Sequence, residues 1–326
     1  MSRKLILLTL GLALALSGCT SSQSTQEAGT LTKVSLPMGY VPNIQFAPLY
    51  VAAEKGYFRD AGIDIEFNYK TETDGAALVG SGELPFSLVS GEQVFLARAQ
   101  GLPVQYVAAW YQQYPVSVVA NSKAEILIPQ DLKGKKIGLP GLFGANYIGL
   151  LAMLYEADMT EKDVNLDAIG FNQVELLASG EQDIVVGYTA NEPIQLRARG
   201  IPVTEMRVSD YVQLASNGIL TSEKVAREDP ELVRAFVGAF LKGLADTIAN
   251  PEEAYQLSAS HIPNFSDLDK DLQMQILKTS IEQWKADRLG YSDPQAWENM
   301  QNVLLEMGLI TEKTDSNKAY TNEFIP

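Results

Sequence analysis

The chain has 326 residues, 46% hydrophobic and 20% charged, which is enough to bury a full core and to form two domains. That balance excludes a disordered chain, a collagen-like fibre and a multi-span membrane protein. A net charge of −15, with one Cys (Cys19) and one His (His261), argues against a nucleic-acid partner, a structural zinc site and an internal disulfide.

The N-terminus reads as an address. Arg3 and Lys4 precede a largely apolar run of 12 residues, Leu5 to Leu16. A membrane-spanning helix needs about 20, so residues 1–18 are expected to be a signal peptide. Leu16-Ser17-Gly18-Cys19 resembles the bacterial lipobox, whose Cys is lipidated. Cys19 is therefore expected to carry acyl chains into a lipid bilayer, with the polar residues 19–30 as a flexible tether. The folded part is expected to begin near Leu31, outside the cytoplasm at the cell membrane.

From there strand and helix patterns alternate. Thr32 to Met38 alternates polar and apolar residues, as a strand does. Phe46, Leu49, Tyr50, Ala53 and Tyr57 follow at helical spacing, and Gly62 ends that helix before a strand from Ile63 to Tyr69. Units of this length predict a mostly parallel sheet covered by helices. An internal repeat lies at an offset of about 100 residues. Ser81-Gly82-Glu83 recurs as Ser179-Gly180-Glu181, Glu92 to Leu96 as Glu192 to Leu196, and Ala97 to Val104 as Arg197 to Val203. Two related α/β lobes follow. Pro115 to Ala120 reads as a strand leading out of the first and Gln213 to Thr221 as one leading back. The lobes are thus interleaved, residues 31–119 with 216–326 and residues 120–215, joined by two crossovers that act as a hinge. Asp229 and Pro230 start a helix whose buried face is Leu232, Val233, Phe236, Phe240, Leu244 and Ile248. Ser292 and Pro294 start the last helix, and Gly308 closes it.

Ligands of open α/β sheets bind beyond the carboxyl ends of the strands. Applied to these strands, the rule selects 39–46, 88–93, 110–115, 141–147 and 187–192. These 33 residues hold eight aromatics (Tyr40, Phe46, Trp110, Tyr111, Tyr114, Phe143, Tyr147 and Tyr188) and no Lys or Arg, where the chain-wide 9% would supply about three aromatics. Asn43, Gln45, Ser90, Gln93 and Asn146 are the neutral polar candidates. Asn146 also stands where it could cap a helix. Glu92 and Glu192 each follow a strand at a helix start. Either could serve only as a favourable charge against the helix dipole; Glu192 is favoured as an acceptor for ring N–H or hydroxyl donors. The set suits a small, neutral, flat heteroaromatic ligand better than an anion. His261 falls outside these segments and is expected to pack.

Tyr40-Val-Pro-Asn43, Leu49-Tyr-Val-Ala-Ala-Glu-Lys-Gly-Tyr-Phe58 and Pro129-Gln-Asp-Leu-Lys-Gly-Lys-Lys-Ile-Gly138 resemble the ABC-transporter solute-binding proteins related to thiamine-pyrimidine synthase, the SsuA/ThiY-like superfamily. The resemblance covers about Leu31 to Pro326. It implies a type II periplasmic-binding-protein fold and delivery of a solute to a membrane permease by a monomer without a cofactor. Carboxylates of that family line the site, which supports Glu192. Pyrimidine-binding members read Asp-Trp-x-Pro-Asn-Thr-Asn-His at the first strand end. Here Gly39-Tyr-Val-Pro-Asn-Ile-Gln-Phe46 replaces the Asp, the Trp and the His, and is similar instead to RibY-type riboflavin-binding proteins. The resemblance therefore implies riboflavin as the transported ligand, with a thiamine-precursor pyrimidine as the alternative. The pyrimidine synthases of the superfamily use an active-site His and a Cys-rich motif, neither of which is present, so no enzyme is expected.

Overall fold

The computed structural model describes residues Leu31–Pro326; the expected signal peptide, Cys19 and the expected tether lie outside the described residues. Among the described residues there are ten strands: β1 (Thr32–Gly39), β2 (Ile63–Thr71), β3 (Phe86–Val89), β4 (Val104–Ala109), β5 (Val116–Asn121), β6 (Lys136–Leu139), β7 (Asn165–Ala168), β8 (Ile184–Tyr188), β9 (Val203–Arg207) and β10 (Gly218–Ser222).

They form two groups. In the first, β1 pairs with β2 in parallel and runs alongside β3, which belongs to a sheet of order β3-β10-β4. In the second, the order is β7-β6-β8-β5-β9. Each group has one reversed strand. β10 is antiparallel to β3 and β4, and β5 is antiparallel to β8 and β9. The expectation of a mostly parallel sheet thus holds for the strands built from strand–helix–strand units and fails for the two that carry the chain across. The segment expected to lead out of the first lobe is β5, and its hydrogen bonds are all in the second group. Of the segment expected to lead back, only residues 218–221 are strand, within β10. Residues 213–217 make no ladder; instead the Asn217 carbonyl accepts the N–H groups of Trp110 (2.9 Å) and Tyr111 (3.0 Å).

The repeat is structural down to single hydrogen bonds. Ser81 Oγ lies 3.1 Å from the Leu78 carbonyl and 3.3 Å from Glu83, either of which can take its one hydrogen. Ser179 Oγ is placed alike, 3.1 Å from the Leu176 carbonyl and 3.2 Å from Glu181. Gly82 and Gly180, at φ of +81° and +80°, turn the chain in the left-handed region that only glycine enters freely.

Helices depart from the sequence reading in two places. The first expected helix is broken: Ala47–Glu54 ends where Gly56 takes φ +77°, and a short turn, Tyr57–Asp60, follows. The last long helix, Pro294–Glu306, is capped by Asp293, which accepts from Gln295 N–H (2.9 Å), rather than by Ser292. The helix Pro230–Ala249 starts as expected, with Asp229 accepting from Leu232 N–H. Val233, Phe236, Phe240 and Leu244 on its inner face are fully buried, each contributing about 1.5–3 kcal/mol by leaving water. Among the described residues no helix is long and apolar enough to cross a membrane.

Candidate functional site

A cavity of about 170 Å³ lies between the two strand groups, at the carboxyl ends of the parallel strands. β1 delivers Gly39, Tyr40, Gln45 and Phe46; β4 delivers Trp110 and Tyr111; β6 delivers Phe143 and Asn146; β8 delivers Tyr188, Asn191 and Glu192. β10, running the other way, contributes the residue at its start, Asn217. No Lys or Arg lines the cavity.

The aromatic wall is built from the first group. Ile44–Phe46 forms a single tight turn capped by Asn43, whose Oδ1 accepts from Gln45 N–H (2.9 Å). That turn swings Gln45 and Phe46 inward, and Gln45 Nε2 reaches Tyr111 OH at 3.4 Å. The Phe46 ring lies 5.8 Å from Trp110, which is 5.0 Å from Tyr111 and 5.6 Å from Trp284. Across the cleft Tyr40 meets Phe171 edge to face at 4.7 Å. Two polar atoms of the lining have no partner: Trp110 Nε1, a donor, and Asn146 Oδ1, an acceptor. The helix Gly144–Glu156 has no side-chain cap, so the capping role open to Asn146 in the sequence is not taken.

Glu192 is buried, and its carboxyl folds back over the end of β8. It accepts from Tyr188 N–H (2.6 Å) and Asn191 Nδ2 (2.9 Å). Burial raises its pKa to about 6 against the pull of those donors. Burial also raises Tyr40 and Tyr188, so both hydroxyls keep their protons at neutral pH.

Not every expected residue arrives. Asn43 is occupied as a cap and does not line the cavity. Tyr147 sits on the far side of its helix and donates to Glu161 (2.8 Å). Ser90 and Gln93 are buried behind the wall, because the Glu72 carboxyl accepts from both Ser90 N–H (3.0 Å) and Ser90 Oγ (2.5 Å) and covers them. Gln93 instead accepts from Thr73 (3.2 Å) and reaches Glu92 at 3.4 Å. Glu92 and Tyr114 are likewise behind the cavity. His261 stacks on Tyr50 at 4.5 Å and meets Glu54 at 2.8 Å, away from the cleft.

The residues the sequence reading missed share one origin. Thr71 ends β2 and Glu72 follows it, Phe171 and Gln173 follow β7, and Asn217 precedes β10. The same strand-end rule would have found the first four had the end of β2 been included and β7 been recognised. Asn-Leu-Asp-Ala is a poor strand by composition.

Comparison with known proteins settles the family. The family described as NMT1/THI5 like matches residues 43–254. A riboflavin-binding protein RibY of Chloroflexus aurantiacus is 41% identical over 99% of this chain and 98% of its own. The chain belongs to the NMT1/THI5-like family. A formylaminopyrimidine-binding protein of Halalkalibacterium halodurans is 30% identical over 97% and 98% of the two chains. A 4-amino-5-hydroxymethyl-2-methylpyrimidine phosphate synthase of Legionella pneumophila is 24% identical over 90% and 93%. Among solved structures, the alkanesulfonate-binding protein SsuA of Xanthomonas axonopodis pv. citri superposes with a TM-score of 0.71 at 15% identity, over 89% of this chain and 98% of that one. The fold is therefore the expected type II periplasmic-binding fold, with two interleaved lobes. Relatives of this NMT1/THI5-like chain include binding proteins and synthases alike, so the site must decide what it does.

Proposed function

We propose that the protein is the extracytoplasmic solute-binding component of an ABC transporter that captures riboflavin between its lobes and delivers it to a membrane permease. The carrying observation is the lining of the cleft: Tyr40, Phe46, Trp110, Tyr111, Phe143, Phe171 and Tyr188, together with amides and carboxyls and no basic side chain. A three-ring neutral vitamin with a hydroxylated chain offers faces to stack and edges that donate and accept. The unpartnered Trp110 Nε1 and Asn146 Oδ1 are suited to its carbonyl and N–H edges. The RibY relative, similar along the whole chain, supports the same ligand.

Binding rather than turnover is supported by the position of His261, which is tied to Tyr50 and Glu54. The lobes are taken as residues 31–119 with 216–326 and residues 120–215; the pairing of β5 favours a first crossing before Val116. Anchoring through lipidated Cys19 rests on the sequence, and Cys19→Ala should abolish labelling by palmitate. The protein is taken to act as a monomer.

Titrating riboflavin into residues 31–326 should quench flavin and tryptophan emission together, because an electron-rich ring in contact with the flavin drains its excited state. Flavin mononucleotide should bind more weakly, since its phosphate would meet a wall with two carboxyls and no cation. Tighter binding of the phosphate form, or binding of a formylaminopyrimidine alone, would overturn the reading.

A further inference from the structure

Glu92 lies behind the cleft wall, and its hydrogen bonds do not suit a carboxylate. Ser90 stands at the start of the helix Gly91–Ala99, where a serine hydroxyl ordinarily caps a backbone N–H; here it makes no such cap. Its Oγ contacts Glu72 Oε2 and Glu92 Oε1 instead. One hydroxyl has one hydrogen and can donate to only one of the two. Tyr114 OH reaches Glu92 Oε2 at 3.3 Å, but it is nearer the Ala145 carbonyl (3.1 Å), which can only accept. Gln93 Nε2, at 3.4 Å, is at the limit of hydrogen bonding. Glu72, by contrast, also receives Ser90 N–H (3.0 Å) and Asn217 Nδ2 (3.0 Å).

Glu92 also receives its own backbone N–H, yet the single Ser90 hydrogen still cannot serve both carboxyls. One added proton resolves the conflict: the Glu92 carboxyl O–H donates to Ser90 Oγ, the Ser90 O–H donates to Glu72 Oε2, and both Ser90 contacts hold one hydrogen each. We infer that Glu72, Ser90 and Glu92 share one stored proton resting on Glu92, which leaves Glu72 as the ionised acceptor at the cleft wall for an N–H or hydroxyl of an uncharged ligand. The ligand half rests on the riboflavin reading; the stored proton does not. Glu92 is a positioning residue that acts through Ser90.

The surroundings agree. Burial and the neighbouring Glu72 charge push Glu92 up to about 7, and burial raises Glu72 too. The titratable groups facing the pair are Tyr106 from β4, Tyr114 from the crossing segment and Tyr188 from β8, all held protonated by burial, with Glu192 beyond Tyr188. No Lys or Arg is among the charges acting on either carboxyl.

Infrared spectroscopy of the protein without riboflavin, from pH 5 to 8, reads the carbonyl stretch of un-ionised carboxyls. Part of the wild-type band should titrate near pH 7 and disappear in Glu92→Gln. Glu72→Gln should move that titration down by about one pH unit or more, because the repelling charge is gone. Ser90→Ala, which severs the chain and leaves both carboxyls, should move it as well. In calorimetry Glu72→Gln should weaken riboflavin by about tenfold or more, the loss of a hydrogen bond to a charged group. A band untouched by Glu92→Gln, or a midpoint unmoved by Glu72→Gln, overturns the stored proton. Infrared results as expected, with riboflavin bound by neither wild type nor variant, would sink the ligand reading and leave the proton in place.

Discussion

Trp110 and Tyr111 are fixed by one acceptor, the Asn217 carbonyl, and by contact with Phe46 and Trp284. Their rings are therefore rigid before a ligand arrives, and stacking on them costs little ordering. Tyr40→Ala and Trp110→Ala should each weaken riboflavin by about 1–3 kcal/mol in a fluorescence titration, the range for bases on aromatic rings. Glu192 carries a pH signature with two opposite signs. As an acceptor it works when ionised, so affinity should fall as pH drops through about 6. For stability, its folded value is raised above the unfolded 4.5, so its contribution is present below 4.5 and lost as pH rises through about 6. Glu192→Gln should therefore bind more weakly at pH 8, by about 1–3 kcal/mol, yet unfold at higher urea there, by on the order of 2 kcal/mol. Equal losses of binding and stability would contradict this.

At the scale of the element, β8 and the helix behind it work as one piece. A Cβ placed on Gly187 would lie 2.5 Å from Glu192 Oε2. Gly187→Ala must push that carboxyl off Tyr188 N–H, and binding should fall at least as far as in Glu192→Gln while the remainder of the fold stands. Wild-type affinity in Gly187→Ala would show that Glu192 has no part in the site. This coupling was invisible in the sequence, where Gly187 is one glycine among 25. Other features were legible for physical reasons. Tyr40, Phe46, Trp110, Tyr111 and Tyr188 line one cavity, where the strand ends that the sequence marks place them together. Asn43 and Tyr147 were misplaced because helix phase and capping, not sequence proximity, decide which way a side chain faces. Glu72 was missed because the strand before it was read to end at Tyr69, two residues short of Thr71, and its end was not searched. The repeat was the firmest sequence signal, since its matches fall on turns whose hydrogen bonds demand Ser, Gly and Glu in that order.

Over the whole molecule, the cavity of about 170 Å³ is smaller than the roughly 300–1,000 Å³ usual for ligand sites of this class, so a three-ring ligand needs the cleft to widen, and the Tyr40–Phe171 contact across it is the expected gate. Phe171→Ala should raise both association and release rates in stopped-flow fluorescence, as a loosened gate does; unchanged rates would place the gate elsewhere. The interleaving of strands also bears on how the chain is made. β3 and β4 do not pair with each other; β10 bonds to both, and Ala109 waits for Gly218. During synthesis from the N-terminus the first sheet stays open until more than a hundred further residues have emerged. A chain ended at Asn217 should show no cooperative unfolding and should be cut readily by protease. Under the export proposed from the N-terminal sequence, that delay would be useful: the polypeptide would reach the translocation machinery before its own sheet can close.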